Sequence, residues 1–163
     1  MEKIMSLITN NFLYVLILIF VLYLIIWIVV IAVKKTKIKN LSNNSLELSP
    51  KEFLNLRKST LKGRGKYSSK IADDYVGVYI IYNETKNMYY VGQAKKVMQR
   101  VNAHFTGHGN GDVYADYKFG DKFTIKTIAF NTSGYNSLDK LEKDTIEAYS
   151  AFSRGYNKTR GNS

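Results

Sequence analysis

The chain has 163 residues, which is enough for one ordinary domain with appended segments. Its formal net charge of +11 favours an anionic partner, either nucleic acid or an anionic membrane surface. Cysteine is absent, so disulfides, thiolate zinc sites and cysteine nucleophiles are excluded.

The first predicted element is an apolar segment without a single charge, from Phe12 to Val33. As a helix that rises about 1.5 Å per residue, it would be about 33 Å long and would span a bilayer core of about 30 Å. A cleaved signal peptide is the alternative. It is disfavoured because the segment exceeds the usual apolar core of roughly 7–15 residues and no A-x-A-like site precedes Lys34. We therefore predict a transmembrane helix over residues 12–33, in contact with the lipid bilayer.

The charges on either side of this segment predict its orientation. On the N-terminal side Glu2 offsets Lys3, whereas the other side is strongly basic. The lysines on that side are Lys34, Lys35, Lys37 and Lys39. The positive-inside rule then predicts a single-pass protein of the cell membrane, with residues 1–11 outside and the C-terminal part in the cytoplasm.

Residues 34–74 are predicted to form a basic linker that contains one short helix. Leu41 to Leu48 is interpreted as a flexible tether. The sequence Ser49-Pro50-Lys51-Glu52 combines a capping serine, a proline at the first helical position and a glutamate three residues after the serine. It predicts a helix from Pro50 to Leu61. The basic residues 62–66 are either a solvated linker or a contact with nucleic acid.

Residues 75–163 predict a small α+β domain. Its strands are Val76–Tyr82, Met88–Val91 and Phe123–Phe130, and the first two form a hairpin. Its helices are Lys95–Phe105, a short helix capped by Asp112, and Leu138–Phe152 capped by Ser137. The expected architecture is a three-stranded antiparallel sheet flanked by helices, which is a sufficient core for about 90 residues.

The hairpin carries two related tripeptides, Gly77-Val78-Tyr79 and Tyr90-Val91-Gly92. Pairing of the two strands would place the two tyrosines side by side. The pattern resembles the signature of the GIY-YIG nuclease family, which includes homing endonucleases and the nuclease domain of bacterial excision-repair endonucleases. The resemblance extends from residue 75 to the C-terminus and implies metal-dependent hydrolysis of DNA.

The resemblance implies roles for four residues of the hairpin and the helix after it. The two signature tyrosines correspond to Tyr79 and Tyr90, and either one would take the proton from water. The family's arginine corresponds to Arg100, which would hold the scissile phosphate in a fork geometry. A histidine found in phage homing members corresponds to His104, which would relay a proton or bind phosphate.

The last helix and the turn after it supply the other two implied site residues. The family's single metal-binding glutamate corresponds to Glu142, and its terminal asparagine corresponds to Asn157. One glutamate suffices for one Mg²⁺ (or Mn²⁺), since Mg²⁺ keeps several waters and takes only one or two carboxylates. Glu142 shares a helical face with Ile146 and Tyr149, whereas Glu147 points elsewhere.

The chain departs from the excision-repair pattern at one position. The residue after the second signature glycine is a lysine there and is Gln93 here. A glutamine cannot lower a tyrosine pKa by its charge, so the choice of general base stays open, with Lys95 or Lys96 as substitutes for the lysine. These two lysines, together with Arg100 and with His108 of the glycine-rich loop, are the predicted nucleic-acid contacts.

These features predict a membrane-anchored DNA endonuclease at the cytoplasmic face. The sequence contains no zinc motif and no evident helix-turn-helix, so its specificity is expected to be low or structural. The anchor suggests action on incoming or foreign DNA, as in phage defence, superinfection exclusion or processing of plasmid DNA. The alternative is a catalytically silent nucleic-acid-binding or membrane-scaffold protein that retains the fold, and RNA stays open as a substrate.

Overall fold

The computed structural model describes residues 2–60 and 74–161. The chain forms two compact units, Met1–Thr36 and Lys37–Ser163. Helix α1, Glu2–Asn43, makes up the described part of the first unit and continues into the second.

The part of α1 that belongs to the first unit is a candidate membrane span. Within the described residues, α1 from Phe12 onward is the one helix long and apolar enough to cross a bilayer. Every large apolar side chain from Phe12 to Val30 is exposed, including Phe20 (60%) and Trp27 (55%). A continuous apolar surface of this length is unusual on a soluble monomer and suits a lipid environment.

The last residues of α1 are part of the second unit, where Ile38 and Ser42 are fully buried. The hydroxyl groups of Ser42 and Tyr149 share a hydrogen bond of 2.6 Å, and Lys37 Nζ lies 4.3 Å from the ring centroid of Tyr135. The predicted flexible tether over residues 41–48 is therefore wrong. Ile38, Leu41 and Ser42 recur at helical spacing, so they give the helix a face that packs on the domain.

The segment after α1 is also held by the domain. Leu48 forms an isolated antiparallel bridge with Ile125. Helix α2, Pro50–Thr60, starts where the sequence predicted, because Ser49 and Glu52 form a reciprocal capping box. Phe53 of α2 is buried in the core. Leu61 and the basic residues 62–66 lie outside the described residues.

The sheet is three-stranded and antiparallel, as predicted. Its strands are β1 (Gly77–Asn83), β2 (Met88–Ala94) and β3 (Phe123–Ala129), in the order β2-β1-β3. Tyr79 of the central strand lies opposite Gly92 on one side and Thr127 on the other. A single 3-10 turn, Phe130–Thr132, follows β3.

Three more helices pack on the sheet: α3 (Val97–Phe105), α4 (Gly111–Lys118) and α5 (Leu138–Ala148). Helix α3 starts two residues later than predicted, where the Asp74 carboxylate accepts hydrogen bonds from the N–H groups of Met98 and Gln99. The cap of α4 is Asn110 rather than Asp112, whereas Ser137 caps α5 as predicted.

Helix α5 ends at Ala148, four residues before the predicted end. Ser150, just beyond it, has a φ of 53°, which is incompatible with a continuing helix.

Alternation along β1 divides the core between the two faces of the sheet. Tyr79 and Ile81 pack with residues of α2, α3 and α4, whereas Val78 and Ile80 pack with residues of α5 and with Ile38. The hairpin of β1 and β2 thus lies between two helical layers, and its two faces meet different helices.

Candidate active site

The two signature tyrosines lie together on one face of the hairpin. Their ring centroids are 6.2 Å apart. Tyr79 is buried (1% exposed), whereas Tyr90 is only half-buried. A Cβ atom at position 92 would lie 2.2 Å from the Tyr79 hydroxyl oxygen, so only glycine lets the Tyr79 ring lie across β2. This close approach is the physical reason for the second signature glycine.

His104 of α3 holds the hydroxyl of Tyr79. Its Nε2 is 3.0 Å from Tyr79 Oη, and its Nδ1 accepts a 2.8 Å hydrogen bond from the backbone N–H of Asn110. Because Nδ1 is an acceptor, the ring proton of the neutral imidazole is on Nε2, and that N–H donates to Tyr79. A Cβ at Gly109 would lie 2.4 Å from Nδ1, so the glycine-rich loop can cover this imidazole only with glycine at that position.

Burial determines the protonation of this pair at neutral pH. Burial raises the pKa of Tyr79 well above its ordinary value, and the neighbouring Tyr90 adds to the rise, while Arg100 opposes it. Burial, reinforced by the positive charge of Arg100, lowers the pKa of His104 to about 4. Tyr79 is therefore a neutral phenol and His104 a neutral hydrogen-bond donor around pH 7.

The predicted cationic residues are exposed, and Arg100 lies near this pair. Arg100 lies on α3 one turn before His104, on the same face and close enough to act on both side chains electrostatically. Lys95 and Lys96 follow β2 directly and are exposed. His108 is exposed in the loop after α3, and it is His104, not His108, that contacts the tyrosines.

Glu142 of α5 approaches the hairpin from the opposite face. Its side chain is 7% exposed. The backbone N–H of Gln93 donates to Glu142 Oε1 at 3.0 Å, and Gln93 Nε2 donates to Glu142 Oε2 at 3.1 Å. Gln93 Nε2 also donates to Oδ1 of Asp139. The glutamine that replaces the excision-repair lysine therefore holds two carboxylates of α5 at once.

Sequence reasoning missed Asp139 and the role of Gln93. The available signal was the spacing of Asp139 and Glu142, three residues apart and hence on one helical face. Nothing local indicated that Gln93, far away in sequence, would lie between them.

Adjacent residues of β2 bring the two halves of the site together. The Tyr79 hydroxyl lies over Gly92, and the Glu142 carboxylate accepts the N–H of Gln93. The Tyr79 phenol and the buried Glu142 carboxylate therefore contact adjacent residues of β2 from opposite faces of the sheet.

Asn157 contacts the backbone of β2 rather than another side chain of the site. Its Oδ1 accepts the N–H of Val91 at 2.8 Å, and its Nδ2 donates to the Val91 carbonyl at 2.7 Å. The N–H of Tyr156 donates to the carbonyl of Tyr89 at 2.9 Å. These bonds satisfy backbone groups at the outer edge of β2 on either side of Tyr90.

The acidic side chains fit an ion that retains most of its water. Within residues 2–60 and 74–161, no group of three or more His, Cys, Asp or Glu side chains could hold a metal ion. The carboxylates of Glu142 and Asp139, held by one glutamine amide, suit Mg²⁺, which needs only one or two carboxylates.

Comparison with known proteins agrees with this geometry. The family model described as the GIY-YIG catalytic domain matches residues 75–157. No curated protein and no solved structure matches the chain. The matched residues contain both signature tripeptides, Arg100 of α3, Glu142 of α5 and the final Asn157. The chain therefore belongs to the GIY-YIG family.

Proposed function

We propose that this protein is a membrane-anchored, divalent-metal-dependent endonuclease that hydrolyses phosphodiester bonds of DNA at the cytoplasmic face. The family consists of nucleases, which supports the reaction class. One observation carries the proposal: the tyrosine pair and Glu142 converge on β2. The Tyr79 ring, which lies beside Tyr90, covers Gly92, and Glu142 accepts a hydrogen bond from the next residue, Gln93.

The different burial of the tyrosines supports different roles for them. Tyr79 is buried, its pKa is raised, and its oxygen accepts a hydrogen bond from His104, so it is a poor proton acceptor at neutral pH. Tyr90 is half-buried and stacks edge-on against His104, with ring centroids 4.8 Å apart. We assign proton abstraction from the attacking water to Tyr90, which would accept the proton on its phenolate oxygen, and the positioning of Tyr90 to Tyr79 and His104.

Arg100 and Glu142 complete the reaction centre. The exposed guanidinium of Arg100 would bind the scissile phosphate through two parallel N–H groups. Glu142, with Asp139 beside it, would hold one Mg²⁺ or Mn²⁺ ion, which when bound supplies Lewis-acid stabilisation of the phosphate and the leaving oxygen. Lys95 and Lys96 would contact the DNA backbone beside the site, and His108 is a further candidate contact.

The long apolar helix supports the location. Its exposed apolar surface suits a bilayer, and the lysines that follow it favour a cytoplasmic domain. A nuclease held there would meet DNA that enters through the envelope. Degradation of foreign DNA is therefore the proposed biological role.

The test is DNA cleavage by the full-length chain purified in detergent. Supercoiled, single-stranded and duplex DNA, and a matched RNA, are incubated with Mg²⁺, Mn²⁺ or chelator. The parent should cut only with metal, whereas Glu142→Ala, Arg100→Ala and Tyr90→Phe should each lose roughly 100-fold or more in rate. Glu84→Ala, which removes an exposed carboxylate from the turn between β1 and β2, should cut like the parent.

Two outcomes would contradict the proposal. If Glu142→Ala cut DNA as fast as the parent, Glu142 would not be the metal ligand. A folded parent that cuts none of the substrates with either metal would favour the catalytically silent binding or scaffold protein instead.

A further inference from the structure

The chain beyond the family match folds back onto the reaction centre. At Gly161, a Cβ atom would lie 3.5 Å from Glu142 Oε2 and 3.5 Å from Ile146 Cδ1. The returning segment and α5 enclose a pocket of about 290 Å³. Lys143 and Ile146, one and four residues after Glu142, line the pocket, so it lies directly beside the proposed metal ligand.

One wall of the pocket is aromatic and is formed by Phe152, with Arg160 of the returning segment beside it. Phe152 is 41% exposed, although burial of a phenylalanine ring would stabilise the fold. The guanidinium carbon of Arg160 lies 5.4 Å from the centroid of that ring. A phenylalanine ring with a guanidinium over it offers flat surfaces on which a nucleobase can stack.

The charges around the pocket fit a nucleotide. Lys143 and Arg160 supply two positive charges for phosphate, and both are exposed. Glu147 lies on the same wall and is a hydrogen-bond acceptor suited to the exocyclic amino groups of bases. The volume is near the lower end of the roughly 300–1,000 Å³ of small-ligand pockets, which leaves room for about one base.

We propose that this pocket binds one unpaired nucleotide of the DNA next to the phosphate cleaved at Glu142, with its base stacked on Phe152 and its phosphate on Lys143 and Arg160. The inference rests on the proposed function and names its substrate class. In a paired duplex both faces of a base are covered by its neighbours. The pocket therefore selects single-stranded, flapped or bulged DNA.

The binding test uses the full-length chain in chelator, so that binding is measured without cleavage. A 2-aminopurine base, whose fluorescence falls when it stacks, is placed in single-stranded DNA or in a bulge. The parent should quench it, and Phe152→Ala should lose the quenching and bind these DNAs roughly tenfold more weakly. The affinity of Phe152→Ala for fully paired duplex should stay within about twofold of the affinity of the parent.

Matched variants separate stacking from a general loss of structure. Phe152→Trp should retain binding, which makes the test independent of whether Phe152→Ala folds. Phe119→Ala removes a phenylalanine that is 89% exposed and lies outside the pocket, so it should bind like the parent. Arg160→Ala should weaken binding and lower the slope of log affinity against log salt by about 0.7, as expected for one lost contact to a single-strand phosphate.

A cleavage arm with Mg²⁺ compares bulged and fully paired substrates of the same sequence. Phe152→Ala should lower the ratio of the two rates, and leave cutting of the paired substrate unchanged. A parent without preference for the bulge, or a Phe119→Ala loss equal to that of Phe152→Ala, would overturn the inference. Quenching without cutting would instead overturn the nuclease function and leave the pocket intact, so the two failures are distinguishable.

Discussion

Gln93 binds two carboxylates of α5 through one side-chain amide and binds Glu142 again through its backbone N–H. A lysine at this position would also orient carboxylates, but it would add a positive charge between them. The neutral amide orients Glu142 and Asp139 without placing a positive charge between them. For the proposed metal site, glutamine at this position therefore suits a divalent ion better than lysine would.

Gln93→Lys is expected to raise the Mg²⁺ concentration for half-maximal cleavage by roughly tenfold, because the ammonium repels the ion at close range. The measurement is a Mg²⁺ titration of the cleavage rate. Gln99→Lys adds the same charge at an exposed position of α3 and should leave the Mg²⁺ midpoint unchanged. If Gln93→Lys left the Mg²⁺ midpoint unchanged, Gln93 would not lie next to the bound ion.

His104 makes the stability of the domain depend on pH. Its folded-state pKa is about 4, below its ordinary value of 6.5, so between these values the unfolded chain binds more protons than the folded chain. The stabilisation is complete above pH 6.5 and falls as the pH drops toward 4. Between pH 6.5 and 5 the loss is on the order of 2 kcal/mol.

Thermal unfolding of the full-length chain between pH 7 and 5 tests this dependence. The parent should lose stability over that range, and His104→Gln should show a flatter profile while keeping an acceptor for the Asn110 N–H. His108→Gln, at the other histidine of the sequence, should follow the parent. Parallel profiles for the parent and His104→Gln would contradict the lowered pKa.

At the scale of the elements, the domain extends beyond the residues that the family model matches. The end of α1, the Leu48 bridge and α2 all precede residue 75, yet Ile38 and Phe53 are core residues. Ile38 is fully buried among residues of β1 and α5. A fragment that begins at Lys37 therefore retains this packing, whereas one that begins at Ser49 exposes it.

Ile38→Ala should lower the free energy of unfolding by about 2–5 kcal/mol, because it leaves a cavity in the core between the sheet and α5. The control is Leu46→Ala, which truncates a side chain that is 72% exposed. Its free energy of unfolding should change by no more than about 0.5 kcal/mol. Chemical denaturation of both variants measures the difference. Equal stabilities would mean that the end of α1 is not part of the folding unit.

At the scale of the whole molecule, charge and apolar surface are segregated along the chain. The charged residues before Lys37 are Glu2, Lys3, Lys34 and Lys35, so nine of the eleven net positive charges belong to residues 37–163. Most of the charge that attracts nucleic acid therefore resides in the second unit, whereas the first unit contains the uncharged apolar segment of residues 12–33.

The absence of cysteine allows a clean test of membrane topology. Ser6→Cys and Thr159→Cys each introduce one thiol, and a membrane-impermeant maleimide is applied to intact cells. Ser6→Cys should be labelled directly and Thr159→Cys only after lysis, since the basic flank favours the cytoplasm. The reverse pattern would overturn the orientation. A shortened chain in the soluble fraction after carbonate extraction would indicate a cleaved signal peptide.

The features that were predictable from the sequence depend on near neighbours along the chain. Alternation indicated the hairpin, the Ser49 and Glu52 spacing indicated the start of α2, and an uncharged apolar segment indicated the candidate membrane span. The two signature tripeptides are also local, so family membership and the proximity of the Tyr79 and Tyr90 rings were predictable from the sequence alone.

Only the tertiary structure decided the contacts between distant residues. It placed Gln93 between two carboxylates of α5, directed Asn157 to the backbone of Val91, and buried Tyr79 more deeply than Tyr90. It also joined the last turns of α1 to the core, where a tether had been expected. Each of these depends on which strand lies at the edge and which helix covers each face. Those relations arise from packing across the sheet, and no local periodicity, cap or turn encodes them.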